Sequence, residues 1–170
     1  MSRSNPHKLK RRSTRATAQI VVEGYTEAAF CKHLKSCYAR DCGVAVEIHN
    51  ARGGSPQDLV KTALQRSGFD RTFLFFDADV RLPETWATKA RGAGHVIVTT
   101  SPCVEAFLLA LLGQPRTGDT AACKRALDAI LPPPGKYDPK NYARLYPKEL
   151  LDASQHPTLM VLRSAFTVPS

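Results

Sequence analysis

The sequence predicts an α/β fold in which a mostly parallel sheet of about four strands is flanked by helices. Two observations support this prediction. Short apolar runs alternate along the chain with segments whose apolar residues recur at helical spacing. The strongest run, FLFFDADV at 73–80, begins with four apolar residues and no polar alternation. Such a run is typical of a strand that is buried on both faces of a parallel sheet.

Four segments are predicted to be strands: Thr17–Val22, Val44–Ile48, Phe73–Val80 and His95–Thr99. If the third strand lies beside the first, as in a flavodoxin-like order, the chain changes direction across the sheet between them. Ligands of open α/β sheets bind at such a point, beyond the carboxyl ends of the strands. The residues that follow the first and third strands are therefore expected to form a ligand site.

Helices are predicted between and after these strands from apolar spacing and from helix-starting residues. The first helix has one apolar face, formed by Phe30, Leu34, Cys37 and Tyr38. The second begins at Ser55 and Pro56 and is expected to point inward the residues Leu59, Val60, Ala63 and Leu64. Further helices are predicted at 83–89, at 120–131 and in a segment ending near Ala153, and 158–166 is apolar enough to pack back onto the body.

Asp77 and Asp79 come at the polar end of the third strand. Whether the strand continues or turns there, two negative charges are gathered at one place, which is costly unless a cation neutralises them. The plainer alternative is a polar strand-to-loop junction in which an aspartate starts the next turn.

Two glutamates follow the first strand. Gly24 is expected to let the backbone turn sharply after Glu23, so that Glu23 and Glu27 both overhang the carboxyl edge of the sheet. Glu27 falls in the first turn of a helix, where the helix dipole alone could explain a carboxylate. Glu23 is harder to explain in that way, because a charge directly at the end of a buried strand must face something.

Glu105 is the lone charge in the helix predicted to follow the fourth strand. Ser101 is the expected helix cap and Pro102 the expected first residue, which leaves Glu105 outside a capping box. Because this helix is apolar nearly all round, its carboxylate is expected to face a partner or a metal. A glutamate at the edge of the core that reaches solvent is the alternative.

The charge of the chain is concentrated at its start. Residues 1–15 hold six Lys and Arg and no acid, and thus +6 of the net charge of +9. We interpret 1–15 as a basic disordered tail that suits a polyanion such as nucleic acid, and 16–170 as a single domain.

The five cysteines fit no zinc spacing and are expected to be reduced. No apolar run is long enough for a membrane span and no signal region follows the basic start, so we predict a cytoplasmic protein without a membrane partner.

The segments VVEGYTE at 21–27 and FFDAD at 75–79 together resemble the Toprim domain shared by topoisomerases, primases and small nucleases. SPCVEAFLL at 101–109 is more specifically similar to the OLD and RloB branch of that family, through Ser101 and Glu105 of an S-x-x-x-E motif. The resemblance covers 16–166 and implies a Toprim-like, Rossmann-like fold. It also implies a role as metal ligand or general base for Glu23, and further metal ligands at Glu27, Asp77, Asp79 and Glu105.

A late lysine in this branch is thought to stabilise charge at the scissile phosphate. Lys140, which follows Tyr137 and precedes a predicted helix, is the favoured match, and Lys148 in LYPK is the alternative. Lys136, Lys140 and Lys148 are all candidates to reach the crevice that Glu23 and the two aspartates are expected to form at the carboxyl edge of the sheet.

Carboxylates offer hard oxygen ligands, which suit Mg²⁺ or Mn²⁺. Two ions about 4 Å apart would clamp the attacking and leaving oxygens of a phosphodiester. The resemblance therefore implies a divalent-metal-dependent nuclease or nicking enzyme acting on DNA or RNA, in a defence system. Its contacts to the nucleic-acid backbone are expected from Lys8, Lys10, Arg11, Arg12 and Arg15. The chain has no ATPase domain of the OLD type, so an ATPase or other defence-system partner would be a separate protein, and a homo-oligomer is also allowed.

The sequence allows two alternative functions. A phosphatase of the haloacid dehalogenase kind also ends a strand with DxD, but Arg81 stands where that family usually has threonine. Such an enzyme would also leave Glu23 and Glu105 without a role. The second alternative is a non-catalytic Toprim module that binds metal or nucleic acid and regulates a partner.

Overall fold

Parallel strands form the centre of the molecule in the order β2-β1-β3-β4. The computed structural model describes residues 15–114 and 118–169. The strands are β1 (Ala16–Val22), β2 (Val44–Asn50), β3 (Arg71–Asp77) and β4 (Val96–Thr100). The predicted α/β fold with its parallel sheet is confirmed, and so is the position of the third strand beside the first.

Helices connect the strands and cover the sheet. They are α1 (Tyr25–Tyr38), α2 (Pro56–Gln65), α3 (Glu84–Gly92), α4 (Val104–Leu111), α5 (Thr120–Ile130), α6 (Tyr142–Leu145), α7 (Lys148–Ala153) and α8 (Pro157–Ser164). Two short 3-10 turns, Gly135–Tyr137 and Pro139–Asn141, lie between α5 and α6. In the described residues, no helix has the length and apolar character needed to cross a membrane.

Alternate residues of the central strands pack on opposite faces of the sheet. On β1, Ile20 and Val22 belong to one core cluster and Val21 to the other. On β3, Phe75 and Phe76 divide between the two clusters in the same way. All five are at most 2% exposed, and burying such side chains stabilises the fold by about 1.5–3 kcal/mol each. This two-sided burial explains why 73–76 shows no polar alternation.

Helices cover both faces. Phe30 of α1, Phe107 of α4 and Leu159 of α8 belong to the cluster on one face. Leu59 of α2 and Ala90 of α3 belong to the cluster on the other face. The sheet is therefore sandwiched between helical layers, which leaves its carboxyl edge as the open end of the central strands.

Three details differ from the sequence prediction. Leu64 is 40% exposed, because the inward face of α2 is set by its other apolar residues and Leu64 lies beyond the edge of that face. Helix α4 begins at Val104 after an extended Cys103, and not at Pro102 after a Ser101 cap. The strand β3 ends at Asp77, so Asp79 lies in the turn that follows.

The segment after α5 is held on the core by two tyrosines. Tyr142 and Tyr146 are fully buried. The Tyr142 hydroxyl donates to the Lys136 carbonyl at 2.8 Å, and the Tyr146 hydroxyl donates to the Leu108 carbonyl at 3.2 Å. Short turns replace the expected loop here, whereas the predicted helix end near Ala153 is confirmed.

Candidate functional site

Glu23 follows the last residue of β1 at the carboxyl edge of the sheet. Its backbone N–H donates to the Phe75 carbonyl of β3 at 3.3 Å, and its carbonyl accepts from the Gly53 N–H at 2.8 Å. The loop after β2 is thereby tied to the same edge. Burial raises the pKa of the Glu23 carboxyl, although a hydrogen bond from the Asp77 backbone acts to lower it. Glu23 and the end of β3 are therefore in direct contact, as the strand order predicts.

Asp77 is held from two sides. Thr100, its register partner on β4, donates its hydroxyl to Asp77 Oδ1 at 2.7 Å. The backbone of Val104, the first residue of α4, also hydrogen-bonds to the Asp77 carboxylate. Burial nevertheless raises the pKa of Asp77 to about 6, and the nearby charge of Glu105 adds to this rise. The structure thus fixes this carboxylate in a place where its negative charge is costly.

Glu27, in the first turn of α1, is only 5% exposed. Burial raises its pKa to about 8, and the charges of Asp77, Glu105 and Glu23 act in the same direction. A Cβ atom on Gly24 would lie 2.8 Å from Glu27 Oε2, so glycine leaves room for this carboxylate. The chain bends at Glu23 and Gly24 as expected, but the bend does not depend on glycine, because the φ of −130° and ψ of −177° at Gly24 are extended values open to any residue.

Glu105 projects from the first turn of α4 and is 4% exposed. The Cys103 thiol hydrogen-bonds to its carboxylate. Among the described residues, Glu105 Oε2 and Glu23 Oε2 are buried oxygens without a hydrogen-bond partner. An unsatisfied buried acceptor costs about 1–3 kcal/mol, and more when it is charged. These two oxygens are therefore available to a ligand.

The four acids line one pocket of about 380 Å³, which we call the acidic pocket: Glu23, Glu27, Asp77 and Glu105. Lys124 of α5 and Lys136 of the 135–137 turn line it as well. Lys136 is 6% exposed, and its Nζ lies 2.6 Å from Asp128 Oδ1. Burial acts to lower the pKa of Lys136, but the hydrogen bond to Asp128, together with the charges of Asp128, Tyr137 and Glu105, outweighs burial and leaves the pKa above its usual value. The pocket thus combines acids with a fixed ammonium group.

Asp79 lies beside the acidic pocket and does not line it. It is exposed, and its Oδ1 accepts from the Val80 N–H at 2.8 Å. Its charge still contributes to the raised pKa of both Glu23 and Asp77. Of the two aspartates in the DxD segment, Asp77 is therefore the one within the pocket.

The lysines singled out by the family resemblance lie elsewhere. Lys140 is exposed and lines a separate cavity with Leu131. Lys148 pairs with Asp152 at 2.5 Å and lines a larger cavity of about 680 Å³ beside Tyr38. That cavity contains none of the predicted acids. Of the three candidate lysines, Lys136 is the one that lines the acidic pocket.

Some features of the pocket gave no clear signal in the sequence. Lys124 follows the buried Cys123 on an amphipathic helix, where an exposed lysine is ordinary. Nothing in its spacing connects it to the acids.

The predicted nucleic-acid contacts at Lys8, Lys10, Arg11 and Arg12 lie outside the described residues, and Arg15 is exposed at the start of the described chain.

The acidic pocket has the chemistry of a divalent-cation site. Its acidic donors are oxygens, which Mg²⁺ and Mn²⁺ prefer, and a cation would offset the burial and the mutual repulsion that raise the pKa values of Glu27 and Asp77. Within 15–114 and 118–169, no three His, Cys, Asp or Glu side chains are already arranged as a metal site.

Comparison of the chain with protein-family models, with curated proteins and with solved structures finds no match in any of the three. The resemblance to the Toprim family is therefore one of sequence motifs alone.

Proposed function

We propose that this chain is a divalent-metal-dependent nuclease that hydrolyses or nicks the phosphodiester backbone of DNA or RNA. The observation that supports it best is the convergence of four carboxylates from separate elements in one pocket: Glu23 after β1, Glu27 on α1, Asp77 on β3 and Glu105 on α4. Fold stability alone does not explain this convergence, because like charges brought together in a buried place destabilise the folded chain.

Mg²⁺ or Mn²⁺, as two ions, would supply charge neutralisation and a nucleophilic water at this pocket. The chain contributes fixed oxygen donors. Asp77 is oriented by the Thr100 hydroxyl, and the buried oxygens of Glu23 and Glu105 are free to act as ligands. Glu23 is also the candidate to take a proton from the attacking water, since it contacts the end of β3 at the centre of the edge.

Lys136 is the proposed cation at the scissile phosphate. Its ammonium group is buried in the pocket wall, and its raised pKa keeps it charged at neutral pH. A fixed positive charge in a site with little water stabilises charge that develops on a phosphate oxygen. On grounds of position, Lys136 takes over the role that the resemblance suggested for Lys140. The basic residues of 1–15 would raise affinity for the polyanion in a salt-dependent way.

The first experiment is a cleavage assay on supercoiled plasmid and on structured RNA, in Mg²⁺ or Mn²⁺ against EDTA. The test variant is Asp77→Asn, which keeps the size of the side chain and an acceptor for Thr100 but removes the charge. Glu84→Gln is the matched control, because Glu84 is an exposed acid that pairs with Arg91 outside the pocket.

Metal-dependent cleavage that is lost in Asp77→Asn and kept in Glu84→Gln supports the proposal. Cleavage that persists in EDTA or in Asp77→Asn contradicts it. No cleavage of either polymer, with metal binding intact, would favour the non-catalytic module instead.

The phosphatase alternative is weaker. In a haloacid-dehalogenase-like reaction Asp77 and Asp79 would carry the chemistry. Asp79, however, is exposed, its Oδ1 accepts from the Val80 N–H, and it does not line the pocket, which three glutamates share with Asp77. A phosphomonoester substrate run beside the nucleic acids tests it directly.

A further inference from the structure

Two exposed tyrosines form a rim at the mouth of the acidic pocket. Tyr25 and Tyr137 both line this pocket, and they are 61% and 46% exposed. Their ring centroids are 6.1 Å apart with an interplanar angle of 64°, an edge-to-face contact. Tyr25 begins α1 and Tyr137 ends the 135–137 turn, so distant parts of the chain combine to make the rim.

Folding does not account for the exposure of these rings. Tyr142 and Tyr146 are tyrosines that do contribute to the core. Both are fully buried, and their hydroxyls donate to backbone carbonyls. Tyr25 and Tyr137 leave about half or more of their surface in solvent. An aromatic side chain in that state retains ring area on which another flat group can lie.

The charges beside the rim suit a nucleotide. Lys136 Nζ lies 5.5 Å from the Tyr137 ring centroid, and Lys124 lines the same pocket. A phosphodiester held at the acids through a cation therefore meets positive charge in the pocket wall. Because the rings line that pocket too, bases adjacent to the held phosphate come next to the tyrosines.

We propose that Tyr25 and Tyr137 stack on an unpaired base next to the phosphate at the acidic pocket, so that the substrate is a single-stranded segment of DNA or RNA. This inference rests on the proposed nuclease function. Bases of a duplex are covered by their neighbours, whereas an unpaired base offers its face to an aromatic side chain. Stacking of this kind depends little on sequence, because every base has such a face.

The test uses fluorescently labelled single strands of DNA and of RNA about 12 nucleotides long, within the site sizes of single-strand-binding folds. Each is compared with its duplex and with an abasic strand that keeps the phosphates. Binding is measured by anisotropy in Ca²⁺, and cleavage is measured in Mg²⁺ or Mn²⁺. The variants are the double changes Tyr25→Ala with Tyr137→Ala and Tyr25→Phe with Tyr137→Phe, and circular dichroism confirms that each is folded.

The alanine pair is expected to weaken single-strand binding and to lower kcat/KM roughly 5- to 100-fold, while the phenylalanine pair stays within about twofold because it keeps the ring faces. The abasic strand should bind the wild-type protein as weakly as the normal strand binds the alanine pair. The polymer with the larger tyrosine-dependent loss is the substrate. Preference for duplex, or equal binding of normal and abasic strands, overturns the inference.

The two proposals fail separately. If no strand is cleaved but binding depends on the bases and on the tyrosine rings, stacking stands and the nuclease proposal fails. If cleavage requires metal and Asp77 but is the same in the alanine pair, the nuclease proposal stands and stacking fails.

Discussion

Thr100 and Asp77 are register partners on β4 and β3, and the Thr100 hydroxyl donates to Asp77 Oδ1 at 2.7 Å. Thr100 is 2% exposed, so the bond is shielded from water. It fixes one oxygen of Asp77 without neutralising its charge, and the carboxylate stays able to bind a cation. The pairing of β3 with the edge strand β4 thus sets the orientation of a residue at the candidate site.

Replacing Thr100 by valine should weaken the site while leaving the sheet intact. Thr100→Val removes the hydrogen bond at nearly constant shape and should raise the pKa of Asp77 further, since the bond acts to lower it. We expect Mn²⁺ affinity and cleavage to fall about 10- to 100-fold, the usual effect of losing a group that orients a ligand. Titration calorimetry and cleavage rates measure this. Thr99→Val, at the exposed neighbouring position, is the control, and equal Mn²⁺ affinity in both variants would contradict the prediction.

Gly24→Ala should displace the Glu27 carboxylate. The new Cβ would lie 2.8 Å from Glu27 Oε2, whereas the backbone at Gly24 already has values that alanine adopts. Since the atom that must move is the end of a flexible side chain, thermal stability should change by less than about 1 kcal/mol while metal affinity falls. Gly92→Ala in α3 is the control, because its Cβ would meet nothing within 4 Å. A large loss of stability with unchanged metal affinity would refute this explanation.

The fold and the acidic edge could be predicted from the sequence, because both depend on local pattern. Residues 20–22 and 73–76 are continuous apolar runs, as strands buried on both faces require. Glu23 and Asp77 come directly after these runs, and parallel strands bring their carboxyl ends to one edge. The order of the strands then makes the two acids neighbours.

The lysine that lines the acidic pocket could not be predicted in this way, because its position depends on tertiary packing. Lys136 and Lys140 lie in short 3-10 turns without helical periodicity, and Lys148 is the first residue of the short helix α7. Lys136 is fixed by the buried Tyr142, whose hydroxyl holds its carbonyl, and by Asp128 on the preceding helix. A family pattern of spacing therefore pointed to Lys140, while packing brings Lys136 to the pocket.

The metal-free protein should lose stability as pH rises. In the folded chain the pKa of Glu27 is about 8 and that of Asp77 about 6, above the ordinary values of 4.5 and 3.8. The folded state therefore binds more protons than the unfolded state in this range. The resulting stabilisation is fully present below about pH 4 and is lost as pH rises through 6 and 8. One pKa unit corresponds to about 1.4 kcal/mol. The ionisation of Glu27 alone therefore lowers the free energy of unfolding by an amount on the order of a few kcal/mol.

Thermal denaturation in EDTA between about pH 5 and pH 8.5 measures this loss. Glu27→Gln should flatten the profile and raise Tm at the alkaline end, because it removes the charge that is buried there. Mg²⁺ or Mn²⁺ should also raise the wild-type Tm at pH 8. At one hundred times the Kd, the ion should add about 2.7 kcal/mol to the free energy of unfolding. Glu149→Gln, an exposed change outside the pocket, should keep the wild-type slope. A wild-type profile as flat as that of Glu27→Gln would contradict the burial argument.

The last prediction separates the two lysines. Lys136→Met should lower kcat about 10²- to 10³-fold, the usual effect of removing a group that stabilises transition-state charge, with a smaller effect on KM. Lys140→Met should change kcat little, because its side chain is exposed and lines a different cavity. Asp128→Asn should have an intermediate effect, since it leaves Lys136 charged but loosens the 2.6 Å contact that fixes it. Lys32→Met, on the exposed face of α1, controls for net charge. A larger loss from Lys140→Met than from Lys136→Met would return the role to Lys140 and require the 135–148 segment to rearrange on substrate binding.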